Sequence, residues 1–290
     1  MYNLTHKLAI GTVQFGMDYG IANQNGQVSE MGAWSILDFA YENEINTLDT
    51  AKDYGKSEAS IGNYLKQTKN SWDIITKVSS ANNVIEQIQD SAEKLTVKPT
   101  TVLAHSADLF LDSRFQSEVQ KAKDNELIHS LGVSLYNEKE INHVLESELK
   151  PEVIQLPMNI LDTRIYHQGL LGNLFEKGIE IHVRSAFLQG LFYLSKIDLE
   201  DRFEDVIPCL EKLKSISGAV GLALPELSLL WLVNLKEVTK VIVGVDNVDQ
   251  LKTHLKTLKK NVHSSVFEEA LSIKYENENI LNPSLWAAKS

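Results

Sequence analysis

Cysteine is nearly absent: Cys209 stands alone in 290 residues. One thiol can build neither an internal disulfide nor a thiolate zinc cage, so a reducing compartment is the expected setting. Basic residues are in deficit, with 28 Lys and Arg against 39 Asp and Glu and a formal net charge of −11. That balance argues against a nucleic-acid groove or an anionic membrane surface as the main partner. No long apolar run is present. The most apolar stretch, AVGLALPELSLLWLV from Ala219, is broken by Pro225 and Glu226 and is short for a bilayer span. The N-terminus, MYNLTHKLAIGTVQFG, carries a charge where a signal peptide needs an apolar core. The expectation is a soluble, cytoplasmic protein. Also missing are a G-x-G-x-x-G fingerprint after a strand, a G-x-x-x-x-G-K-[ST] loop and any H-E-x-x-H or paired-histidine spacing, so no metal site is expected. The close carboxylates Glu138/Glu140 and Glu268/Glu269 read as solvated helix faces rather than a glycosidase dyad. No Pro/Gly/Ser-rich linker or low-complexity tract divides the chain.

What is present is a core-forming composition, 43% hydrophobic, arranged as short β-type runs alternating with longer helical patterns. The strand candidates are LAIGT from Leu8, NTLDT from Asn46, DIITKV from Asp73, TTVLAH from Thr100, HSLGVS from His129, VIQLPMN from Val153, EIHVRS from Glu180 and KVIVGV from Lys240. Most are apolar on both faces, as strands buried between a core and covering helices must be. Between them, Ala33, Trp34, Leu37, Ala40 and Tyr41 follow a plausible N-cap, Ser29, at helical spacing. Asn137 and Glu140 have capping-box spacing. A helix beginning around Glu204 ends near Gly218 and Gly221, and Pro225 suits the first turn of the next. Cys209, inside that helix, reads as a small core residue. Eight strand–helix units in this length match a single (β/α)8 TIM barrel, typically ~250 residues, over residues 1–290 with 263–290 as a C-terminal extension. A doubly wound open sheet has the same strand count. The polar DYGIANQNGQ stretch from Asp18 reads as a loop or small hairpin at one mouth.

In a parallel barrel the C-terminal strand ends and their loops converge on one face, where chemistry is placed. The second strand ends in Asp49, with Tyr54 in its loop; the third ends near Lys77 and the fourth in His105. Asp49 to Lys77 and Lys77 to His105 are each 28 residues, one β/α unit. A lysine beside a tyrosine stabilises the phenolate, a carboxylate fixes the lysine, and a histidine nearby orients a carbonyl oxygen or completes a proton relay. Such a set can protonate a carbonyl oxygen as hydride reaches carbon. Taken singly, Asp49 with Lys77 is more often a rim ion pair, Tyr54 a packed loop aromatic and His105 a satisfied strand-end histidine; their joint placement weighs against those readings.

The segment DTAKDYGKSEASIGNYL from Asp49 resembles the strand-two signature of the aldo-keto reductases. IITKV, VLAHSAD, LGVS, VIQLPMN, VRSAFLQGL and VIVGVDNVDQL then follow in that family's order. The resemblance spans nearly the whole chain. It implies a (β/α)8 barrel carrying NADP(H) or NAD(H) and hydride transfer to or from an aldehyde, ketone or sugar carbonyl. It puts Asp49, Tyr54, Lys77 and His105 on the family's catalytic tetrad, with Tyr54 as the general acid. It also implies a cofactor path. Gly11, Thr12 and Val13 would approach the nicotinamide end beside Asp49. Ser134 and Gln155 would bond the carboxamide. Ser185, Leu188, Gln189 and Gly190 would lie along the pyrophosphate, and Gly244, Asn247 and Gln250 near the adenosine.

Two departures stand out. Ser134 is followed by Leu135 where many members have asparagine, and Arg184 replaces the tyrosine that many members stack on the nicotinamide. A guanidinium can stack there too, although its charge disfavours the oxidised ring. Asp246 brings a negative charge to the adenosine end, which would repel a 2′-phosphate if it points inward; Lys252 is nearby, and Asp246 with Asn247 reads equally as an N-cap pair. Phe15, Tyr19, Phe110, Asn159 and Tyr193 are the expected substrate-pocket side chains, and the VRSAFLQGL variant resembles proteins of bacterial sugar and surface-polysaccharide pathways, a resemblance that implies a polar, sugar-like carbonyl. Two other classes fit parts of the pattern: a nicotinamide-binding sensor or partner subunit with little turnover, and an unrelated barrel isomerase or lyase using Lys77. Oligomeric state is not legible.

Overall fold

The runs that are apolar on both faces become eight strands: β1 Leu8–Gly11, β2 Thr47–Asp49, β3 Asp73–Val78, β4 Thr101–Ala104, β5 Ser130–Ser134, β6 Val153–Pro157, β7 Glu180–Arg184 and β8 Val238–Gly244. Every neighbouring pair is parallel, and β8 returns to β1, closing a barrel in sequence order. Helices flank it, so the architecture is a single (β/α)8 TIM barrel rather than an open sheet. The computed structural model describes residues 3–200 and 202–286; residues 1, 2, 201 and 287–290 of the expected spans lie outside the described residues.

The register decides which side chains face inward. Gly11 pairs with Asp49 and with Gly244, and Asp49 pairs with Ile75. Lys77 pairs with Leu103, Leu103 with Gly132, Gly132 with Val153 and Ser134 with Gln155. Paired residues of parallel strands share a face, and residues two apart on a strand share it as well. Ile75, Leu103 and Val153 accordingly form a small apolar cluster of their own inside the barrel, separate from the main core. A Cβ on Gly132 would collide with the Leu103 side chain and the Val153 carbonyl, so only glycine fits in this plug. Asp49, Lys77, Ser134 and Gln155 form the polar layer above it.

Several local expectations are met. Ser29 caps Glu30–Glu42, accepting from Gly32 N–H at 3.2 Å, and Asn137 caps Glu138–Glu146, accepting from Glu140 N–H at 3.0 Å. A short 3₁₀ turn at Glu204–Val206 runs into the helix Ile207–Ala219, and Pro225 lies in the first turn of Leu224–Asn234. Cys209 is only partly buried. Residues 18–27 form a loop, not a hairpin. The helix Leu224–Asn234 is buried on almost every side, which explains its apolar sequence. Among the described residues, no single helix is long and apolar enough to cross a membrane. The C-terminal segment, with short helices at Ser264–Leu271 and Glu278–Leu281, is tied back by Arg164, which bonds both Asp162 and Glu278.

Candidate active site

A cavity of about 420 Å³ opens at the C-terminal strand ends. Its floor is the inward polar layer. Lys77 is 1% exposed; its Nζ donates to Asp49 Oδ2 at 2.7 Å and to the Thr50 carbonyl at 2.9 Å, and lies 4.9 Å from the centre of the Tyr54 ring. Burial opposes the ammonium form, but the Asp49 carboxylate and then Tyr54 outweigh it and raise the lysine above its ordinary pKa. Asp49 is itself buried, and its second oxygen accepts from Gln155 Nε2 at 2.7 Å.

Tyr54 stands beside this pair because its loop is clamped against the one-turn helix Val13–Gly16. A Cβ on Gly16 would run into the Tyr54 carbonyl, and Gly55, in the left-handed region at φ 56°, packs against the Gly16 carbonyl. Thr12 closes the corner: its N–H and hydroxyl both donate to the Asp49 carbonyl at 3.0 Å, and Ser57 Oγ donates to the Thr12 hydroxyl oxygen at 2.8 Å. His105 follows β4, with its ring edge-on to Tyr54 at 6.4 Å between centroids and Nδ1 3.4 Å from Asp53 Oδ2. Burial and the charge of Lys77 hold its pKa below the ordinary histidine value, against the opposing pull of Asp53. Asp49, Tyr54, Lys77 and His105 therefore all line one cavity.

Of the other sequence-predicted residues, Gly11, Thr12, Val13, Ser134, Gln155, Arg184, Ser185, Gln189, Gly190, Gly244 and Gln250 also line it. Leu188 and Asn247 do not. Leu188 is fully buried in the core, and Asn247 caps the helix Val248–Thr257 by accepting from Gln250 N–H at 3.0 Å. Of the five expected pocket side chains, only Tyr19 and Tyr193 reach the cavity. Phe15 and Phe110 are buried in the core, and Asn159 is spent on the Ser185 carbonyl and the Leu161 and Asp162 amides. The direction of a side chain just past a strand end depends on the local turn, which strand periodicity does not encode. Arg184 extends across the ring of Tyr136 at 4.2 Å and donates to the Leu135 carbonyl at 3.3 Å.

Sequence reasoning missed Gln14, Tyr136 and the C-terminal residues Pro283 and Ser284, all in the cavity wall. Gln14 lies against Gly244, where a Cβ would displace its amide. Its signal was faint: one polar residue in an otherwise apolar turn directly after β1.

The roof consists of two loops in contact. Ile21 N–H donates to the Gln189 carbonyl at 3.0 Å, and Gly190 packs against Ala22. Ser185, Leu188 and Gln189 all have positive φ, at 60°, 48° and 50°. Such strain in non-glycine residues is tolerated where a segment is shaped for a ligand. Tyr19, beneath this roof, is pushed up to about 12, chiefly by burial and then by Tyr54, so it stays a neutral hydroxyl.

A nicotinamide carboxamide needs acceptors for its N–H groups. Gln155 Oε1 is fully buried in the cavity wall and has no hydrogen-bond partner, while its Nε2 donates to Asp49; Gln14 Oε1 is a second such acceptor. Unpaired buried acceptors of this kind await a donor, so these residues fit the group. Among the described residues, no cluster of His, Cys, Asp and Glu could hold a metal ion.

A family model described as Aldo/keto reductase family matches residues 7–274. Among solved structures, the chain is similar to the aldo-keto reductase AKR11C1 from Bacillus halodurans in its holo form, at 21% identity and a TM-score of 0.75, covering 93% of this chain and 94% of that one. It is also similar to the glycerol dehydrogenase AKR11B4 from Gluconobacter oxydans, at 18% identity and a TM-score of 0.73, covering 92% and 90%.

Proposed function

Because the chain belongs to the aldo/keto reductase family, and is thus an oxidoreductase, we propose that it interconverts a small carbonyl compound and its alcohol with NADP(H) or NAD(H), using Tyr54 as the general acid and base. The observation that carries this reading is the buried Asp49–Lys77 pair at 2.7 Å directly beneath the Tyr54 ring.

When bound, the coenzyme supplies or accepts hydride. The chain's own residues manage the proton. In the reductive direction the Tyr54 hydroxyl donates to the carbonyl oxygen, and the ammonium of Lys77 stabilises the phenolate left behind. Asp49 keeps that ammonium in place and charged. His105, held below its ordinary pKa, is neutral near pH 7 and serves as a hydrogen-bonding partner for the substrate oxygen rather than as a charge. Ser134 and Gln155 would hold the carboxamide; Ser185, Gln189 and Gly190 the pyrophosphate; Gly244 and Gln250 the adenosine end.

The phenols of Tyr19 and Tyr136 beside Tyr54 supply hydroxyl-rich walls. Together with the similarity to a glycerol dehydrogenase, they support a polyhydroxylated, sugar-like substrate. Lys77 as a Schiff-base amine is disfavoured, because a lysine raised above its ordinary pKa and bonded to Asp49 is a poor nucleophile. The test is a fluorescence titration with NADPH and NADH, followed by reduction assays on short sugars and polyols' aldehydes. Saturable binding of at least one coenzyme and turnover lowered by roughly 10²–10⁴ in Tyr54→Phe are expected. No coenzyme binding, or a fully active Tyr54→Phe enzyme, would overturn it.

A further inference from the structure

The cavity has two electrically different ends. Near the tetrad its wall carries Lys77, paired with Asp49, and Arg184, which leaves one positive charge in excess. At the β8 end, among the described residues, the one charged side chain in the wall is Asp246. The sequence leaves Asp246 and Asn247 as joint candidates for the helix cap. The structure gives that duty to Asn247, whose side chain accepts from Gln250 N–H at 3.0 Å, so the Asp246 carboxylate is not consumed by the helix terminus.

Asp246 is instead aimed by Gln250. The Asp246 N–H donates to Gln250 Oε1 at 2.8 Å, and Gln250 Nε2 donates back to Asp246 Oδ2 at 3.2 Å. This reciprocal pair occupies one carboxylate oxygen and leaves the other for a ligand. Among the described residues, no basic side chain in this end of the cavity wall is paired with it. Lys252 bonds Asp249 at 3.0 Å and lies 5.8 Å from the Phe39 ring, and it is not in the cavity wall.

A dinucleotide whose nicotinamide reaches Tyr54 must send its adenosine toward the opposite end, past Gly11, Gly244 and the roof at Gln189 and Gly190. There it meets an oriented carboxylate. Such a group is an acceptor only, matched to a ribose hydroxyl, which donates. A phosphate on that hydroxyl is also an acceptor and carries like charge, so the carboxylate repels it. From this arrangement we infer that Asp246, positioned by Gln250, makes the site selective for NAD(H) over NADP(H). The inference rests on the coenzyme reading above and deepens it.

The experiment is a parallel titration of the intact protein with NADH and NADPH, followed by quenching of protein fluorescence, for the native chain, Asp246→Asn and Asp246→Ser. The native chain should bind NADH at least tenfold more tightly than NADPH. Asp246→Ser should bind NADPH at least tenfold better than the native chain and NADH severalfold worse. Asp246→Asn, which keeps the side-chain shape and removes the charge, should move the ratio in the same direction. Raising the salt should narrow the native difference, because part of it is Coulombic. Equal or tighter NADPH binding by the native chain overturns the inference while leaving the coenzyme reading intact, as does an unchanged ratio in both variants. Failure to bind either coenzyme overturns both.

Discussion

Gln155 and Asp49 meet across the barrel: the amide of a β6 residue donates to the carboxylate of a β2 residue at 2.7 Å, four strands away. Lys77 takes the other carboxylate oxygen at the same distance. Asp49 is thus a buried anion whose charge is balanced by one cation. Lys77→Met should leave it uncompensated and cost about 3–5 kcal/mol. Asp49→Asn combined with Lys77→Met should be less damaging than Lys77→Met alone, because no buried charge remains. Urea unfolding of Lys77→Met, Asp49→Asn and the double variant checks this; strictly additive losses would show that the pair is not energetically coupled.

Tyr54→Phe removes one oxygen and leaves the ring in place over Lys77. Turnover should fall by roughly 10²–10⁴, while coenzyme affinity stays within about twofold. Steady-state rates and a binding titration on the same preparation separate the two effects. A parallel loss of binding would assign the hydroxyl to the coenzyme instead of the proton.

Gly16→Ala places a methyl group into the Tyr54 carbonyl. Because the obstacle is backbone, the Tyr54 loop must move, at a cost of roughly 1–3 kcal/mol. The variant should lose most of its turnover even under conditions where it remains folded. Gly169→Ala is the control: that glycine lies far along the chain, at the start of Leu170–Glu176, with open space around its Cβ and a positive φ. It should lose some stability and retain the rate constant.

His254 is buried against Phe187, the rings nearly parallel at 5.0 Å, and burial depresses its pKa from 6.5 to about 4 despite Glu226. In the unfolded chain it titrates at the ordinary value, so between about 6.5 and 4 the unfolded state binds the additional proton. Its effect is therefore zero above that window, and stability is lost as pH falls through it, by roughly 3 kcal/mol in all. His254→Phe keeps a ring on Phe187 and cannot titrate. Unfolding free energies at pH 7.5 and 4.5 should decline less in the variant than in the native protein by about 2–3 kcal/mol.

The strands were legible because both of their faces are buried, which leaves unbroken Val, Ile and Leu runs with few readings other than a covered parallel sheet. The meeting of Asp49, Lys77 and His105 in one cavity was legible because inward residues at strand ends recur once per β/α unit, giving their even spacing. Gln14 was hidden for the opposite reason. It reaches Gly244 only because β8 returns to β1, a contact between chain ends that no local pattern announces. Phe15, Phe110 and Asn159 sit at the right heights along the chain but turn into the core, since their one-turn helices and turns rotate them away. Leu188 follows the same logic inside a segment whose left-handed residues break any simple periodicity.

The contacts of Ile21 with Gln189 and of Ala22 with Gly190 have a mechanical meaning. Two segments far apart in the chain are joined at the cavity by one backbone hydrogen bond and one close glycine contact. A side chain at position 190 would meet the Ala22 Cβ at 2.9 Å, so a substitution there acts on the segment of Ile21 and Ala22 as well as on its own, and the two behave as one wall.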